Sequence, residues 1–218
     1  MKFPTYLLLL LLFISATALA QTSIATRAIH NNAQAIPAPA ELVPESLTNG
    51  ELFYAIFVTS GLHDAESDSP QTYNNFVNSV ADSSSVKATN HPDIEWKALV
   101  ATKQANQTHA VFNLAPNRPI YNLQGEKVAD NAEQLLSGRL FSKIKYTETG
   151  SHAASPLLVW TGLMANGEQA ENFVLGNKQA ALGSYVFQGN GVRHFKIQDS
   201  YFAYRFYAVS PLLINKEN

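Results

Sequence analysis

Pro119-Ile120-Tyr121-Asn122-Leu123-Gln124-Gly125-Glu126-Lys127-Val128-Ala129-Asp130-Asn131 opens the stretch that decides the fold. Two short apolar runs flank Gly125, a turn residue. Asp130 then stands where a helix cap is needed, with Glu133 three residues on, a capping-box spacing. Leu135 and Leu136 supply the inward side of the helix that follows, about Asn131 to Ser137, and Gly138 suits its exit. The stretch continues through Thr147-Glu148-Thr149-Gly150 to Val159-Trp160-Thr161-Gly162-Leu163, a strand centred on Trp160. Short strands around a small capped helix predict a mixed α+β domain.

The chain on either side agrees. Leu52-Phe53-Tyr54-Ala55-Ile56-Phe57-Val58 is short, apolar and rich in aromatic and β-branched residues, which predicts a buried strand. Ser67 to Ala81 predicts a helix, with Ser69 as cap and Pro70 in the first turn. Its inward face is Tyr73, Phe76, Val77, Val80 and Ala81, leaving Asn74, Asn75, Asn78 and Asp82 to water. Glu95 to Ala101 is a second strand. Glu168 to Ala181 has no clear period. Gly183 to Phe187 and Val192 to Ile197 read as a hairpin across Gly189-Asn190-Gly191. Tyr201 to Val209 is the last strand, with Phe202, Tyr204 and Phe206 on one face and Tyr201, Ala203, Arg205 and Tyr207 on the other.

Residues 1–20 have the parts of a secretory signal peptide: Lys2, the apolar run through Leu7 to Leu12, and Ala18-Leu19-Ala20. The apolar run is too short for a bilayer span of about 20 residues, so no membrane span is expected after cleavage. Export to the cell envelope or medium follows. Residues 21–50, with Pro37, Pro39 and Pro44, read as a linker, the alternative being an arm packed along the domain. The domain is expected over 51–218.

The formal net charge is −2 and only 15% of residues are charged, which gives no basic footprint for nucleic acid. The chain has no cysteine, so disulfides, thiolate metal sites and a thiol nucleophile are excluded.

Four pieces in fixed order carry a resemblance: Phe57-Val58-Thr59-Ser60; Trp96-Lys97-Ala98-Leu99; Pro119-Ile120-Tyr121 through Glu148-Thr149-Gly150; and Val159-Trp160-Thr161-Gly162. They resemble a family of bacterial secreted proteins of unknown function, related to the C-type-lectin-like fold and the endostatin end of collagens. The resemblance runs from about Phe53 to Val209. It implies a C-type-lectin-like, endostatin-like domain with two short helices, a small antiparallel sheet and long loops. Trp160-Thr161-Gly162-Leu163 is similar to the Trp-Ile-Gly-Leu core strand of those domains. Members of the family usually carry cysteines, and this chain has none. The calcium-dependent sugar motifs Glu-Pro-Asn or Gln-Pro-Asp and Trp-Asn-Asp are also missing, so that mode of sugar binding is not implied.

Chemistry-bearing residues are scattered. His63 with Asp64 is the candidate for a zinc ion, set against loop histidines, because no close His pair accompanies it. Asp130 or Glu148 is the candidate for calcium, set against capping. No nucleophile motif is present. The expected function is non-enzymatic recognition or adhesion, with an extracellular protein, glycan or surface polymer as partner. The expected binding residues are Asn166, Lys178, Arg205 and Tyr207. A metal-dependent hydrolase and a structural envelope protein are the alternatives.

Overall fold

Leu52–Val58 forms the central strand, β2, and every residue from Phe53 to Val58 is buried. A strand covered on both faces has no polar side, which is why its sequence is continuously apolar. The computed structural model describes residues 35–104, 114–164, 167–185 and 196–216. The chain divides into two units, Met1–Ala35 and Ile36–Asn218, and the fold belongs to the second.

Around β2 lie β1 (Ile36–Pro37), β3 (Lys97–Ala98), β4 (Ile120–Asn122), β5 (Lys127–Ala129), β9 (Tyr207–Val209) and β10 (Leu213–Ile214). The order is β1-β10-β2-β4-β5, with β9 also pairing β2 and β3. β10 pairs with the start of β2 and β9 with its end, both antiparallel, while β4 is parallel to it. A second, antiparallel sheet has the order β6-β7-β8, built from Leu158–Trp160, Gln179–Ser184 and Lys196–Asp199. Among the described residues two α-helices, α1 (Pro70–Asp82) and α2 (Ala132–Ser137), complete an α+β fold with two mostly antiparallel sheets.

The core forms where α1 covers one face of β2. Phe53, Ala55 and Phe57 meet Tyr73, Val77 and Ala81 of the helix, joined by Trp96, Tyr121, Trp160 and Phe206. Tyr73 stacks on Phe206 at 5.1 Å, and Phe57 meets the edge of Trp96 at 4.7 Å. Aromatic pairs of this kind add about 0.5–1.5 kcal/mol each beyond the area they bury.

Several expectations shift. Asn74 and Asn78 do not face water. Asn78 accepts from the Trp96 N–H (2.8 Å) and donates to the Trp96 carbonyl (2.7 Å), and Asn74 accepts from Ala98 N–H (2.9 Å). Their amides pair with the strand backbone as a neighbouring strand would. The cap of α2 is Asn131, one residue later than expected. Its side chain accepts from Gln134 N–H and Gln134 reaches back to Asp130 N–H, while Asp130 pairs with Lys127 at 3.0 Å. Gly138 takes the left-handed exit conformation.

The stretch read as linker is packed from Ile36 on. β1 runs parallel to β10, and Leu42 is buried in the core cluster. The final strand shortens to Tyr207–Val209, because Tyr201 and Phe202 lie in a turn closed by Phe202 N–H to the Asp199 carbonyl. The unassigned stretch supplies β7, beginning at Gln179. Residues 186–195, between β7 and β8 and including the expected start of the hairpin's second arm, lie outside the described residues.

Candidate recognition cleft

Three chain segments meet at one junction of backbone hydrogen bonds. Ala65 N–H donates to the Ser200 carbonyl (2.8 Å), Gly176 N–H to the Ala65 carbonyl (2.9 Å), and Ser200 N–H to the Lys178 carbonyl (3.0 Å). The Ser200 hydroxyl adds a bond to the Asn177 carbonyl. Ala65 and Ser200 are buried beneath this junction. Gly176 is required there: its φ is +91°, and a Cβ would stand 2.5 Å from Asp68 Cα.

A cleft of about 430 Å³ opens above the junction, lined by Glu66, Lys178, Asp199 and Tyr201 as well as by the junction itself. Asp199 is held by Gln179, whose amide donates to Oδ1 at 2.8 Å, leaving Oδ2 toward other partners. Glu66 is exposed, and its backbone N–H is fixed by Asp64 Oδ1 at 3.1 Å. Among the described residues the Lys178 ammonium has no hydrogen-bond or ion-pair partner.

The rim is aromatic. Tyr201 is 62% exposed and Phe202 38%, with ring centroids 4.5 Å apart. Phe202 continues to Tyr204, and Tyr204 packs edge-on against Trp160 at 5.3 Å. The Trp160 indole N–H donates to the Phe202 carbonyl. The exposed pair therefore stands on a strand residue of the core.

The expected binding residues are not brought together. Lys178 lines the cleft, and Asn166 lies outside the described residues. Arg205 and Tyr207 are buried, at 5% and 0% exposure, and form no outer face. The Arg205 guanidinium donates to the carbonyls of Thr59 and Ser60 (2.6 Å each), Ala154 (3.0 Å) and Pro156 (3.3 Å). Tyr207 sits in β9, and burial pushes its phenol pKa well above the usual value. The alternation argument fails for these two because the chain is a turn and two isolated bridges up to Arg205, with β9 covered on both sides.

His63 Nδ1 lies 3.5 Å from Asp64 Oδ1 and 2.9 Å from the Asp64 carbonyl, and its ring packs against Tyr73, Phe76 and Phe206. Among the described residues no group of three or more His, Asp or Glu side chains converges as a metal-ligand set. Asp130 is paired with Lys127. Glu148 is buried and accepts from both the N–H and the hydroxyl of Ser60. No helix of the described residues is long and apolar enough to cross a membrane.

Sequence reasoning missed Glu66, Asp199 and the exposure of Phe202 beside Tyr201, two rings that alternation puts on opposite faces. Asp199-Ser200 was a turn signal ahead of the aromatic run. It would have broken the strand and freed both rings from alternation. Comparison with protein-family models and with curated proteins finds no match to this chain.

Proposed function

We propose that the protein is an exported recognition module of C-type-lectin-like architecture that binds a glycan at the Tyr201 cleft. The observation that carries this reading is the adjacent exposed pair Tyr201 and Phe202 on the rim of a polar cleft. A sugar ring has an apolar face of C–H groups and a rim of hydroxyls. Aromatic rings receive the first, and Asn, Asp, Glu and Lys side chains the second. Export is supported by the Leu7–Leu12 run and Ala18-Leu19-Ala20. The architecture is supported by the mixed helix-and-sheet fold and by Trp160 in a core strand beneath the aromatic rim.

The test is a polysaccharide and oligosaccharide array, followed by titration calorimetry on the purified protein. Saturable binding is expected, and Tyr201→Ser should weaken it about tenfold, the equivalent of about 1.4 kcal/mol, with an unchanged melting temperature. Binding that Tyr201→Ser leaves intact would overturn the assignment of the cleft. Turnover of the saccharide, abolished by chelation, would instead indicate a metal-dependent hydrolase. Non-saturable recovery with an insoluble cell-surface polymer would indicate a structural envelope role.

A further inference from the structure

We infer that the saccharide taken by this cleft carries free amino groups, so that the ligand is an amine-bearing sugar polymer rather than a neutral or acidic one. The inference rests on the glycan reading of the cleft.

Two different devices on the same rim favour an ammonium. The first is charge. Among the described residues of the lining, Glu66 and Asp199 place two carboxylates against the one ammonium of Lys178. Asp64 orients the Glu66 backbone, and Asp68 packs against Gly176 at the cleft wall. Asp64, Glu66 and Asp68 also act together on the Tyr73 phenol, where their negative field adds to burial in raising its pKa. A uronic acid entering this site would meet more repulsion than attraction. A protonated amine would form a charge-assisted hydrogen bond with Glu66 or with Asp199 Oδ2. Lys178 would donate to ring or hydroxyl oxygens.

The second device is the aromatic pair. The faces of Tyr and Phe rings are electron-rich, and a cation within about 6 Å of a ring centroid is attracted to them. Tyr201 lines the cleft itself, and Phe202 is its neighbour on the rim. The group that completes the carboxylates is therefore also the group favoured above the rings.

The experiment compares glucosamine oligomers with N-acetylglucosamine oligomers of the same length by calorimetry on the purified protein. The amine oligomer should bind at least tenfold tighter in low salt. The gap should narrow as salt rises, because the carboxylates are solvent-facing and screened. The pair Glu66→Gln with Asp199→Asn should bring the amine oligomer down to the affinity of the acetylated one, with the melting temperature held. Equal or tighter binding of the acetylated oligomer, or a preference that survives the double substitution, would overturn the inference and leave the glycan reading standing. Binding of neither oligomer, nor of any other saccharide, would overturn both.

Discussion

Arg205 is an anchor inside the protein, and its neighbours show why it must be charged and long. Its guanidinium collects four backbone carbonyls from two segments, Thr59–Ser60 at the end of β2 and Ala154–Pro156 before β6. The Ser60 N–H faces the other way, to the buried Glu148 carboxylate at 2.9 Å. The Ser60 peptide thus separates a buried cation from a buried anion and is hydrogen-bonded to both. Methionine would fill the space of Arg205 but leave all four carbonyls without this donor. Hydrogen bonds to charged groups contribute about 1.5–3 kcal/mol each, and they are not additive. Arg205→Met is expected to destabilise the fold by about 3 kcal/mol or more, seen as a lower urea midpoint. A midpoint shift of under about 1 kcal/mol would remove Arg205 from this role.

At the scale of elements, α1 is joined to β3 by side chains that imitate backbone. Two bonds from Asn78 and one from Asn74 pair Trp96 and Ala98 across to the helix. β3 is only two residues long and pairs with β9 on its other edge. The asparagines therefore satisfy polar groups that sheet pairing leaves open, next to a fully buried Trp96. Asn78→Ala should cost about 1–3 kcal/mol, the penalty for leaving a buried donor or acceptor unpaired. Hydrogen exchange at the Trp96 amide should quicken in the same variant. An unchanged Trp96 exchange rate would show that the clasp is redundant. Helical periodicity places Asn74 and Asn78 off the apolar stripe correctly. It has no means of showing that a strand edge passes within reach of them.

Over the whole molecule, tyrosine burial links stability to alkaline pH. Burial raises the pKa of Tyr54, Tyr73 and Tyr207 above the ordinary value of 10.0. At Tyr73 the nearby Asp64, Asp68 and Glu66 add to that effect, and the neutral phenol donates to the Ser67 carbonyl. The phenols ionise more easily in the unfolded chain than in the folded one. Their stabilising contribution is therefore complete below about pH 10 and lost as pH rises above it through the folded values. Urea midpoints are expected to be insensitive to these groups below pH 10 and to fall above it, with phenolate absorbance appearing together with unfolding. Complete phenolate formation in a protein that keeps its circular dichroism would contradict this.

The sequence by itself determined the class of the fold and most of its parts. A heptapeptide with no polar residue had to be a covered strand, the stripe from Tyr73 to Ala81 had to be a buried helix face, and Gly138 had to end a helix. These are local consequences of side-chain spacing and backbone freedom. Tertiary structure decided where the outer surface lies. Tyr201, Phe202, Arg205 and Tyr207 share one aromatic run, yet two are exposed and two are buried. The difference arises because Asp199 closes a turn and β9 enters between β2 and β3. Glu66, Lys178 and Asp199 lie far apart in the chain and share a cleft because β7 pairs with β8 at Gln179 and Asp199, while Ala65 ties the Glu66 segment to Ser200 and Gly176 by backbone hydrogen bonds. Spacing along a chain carries no record of such a junction, since each bond is made by peptide groups that every residue possesses.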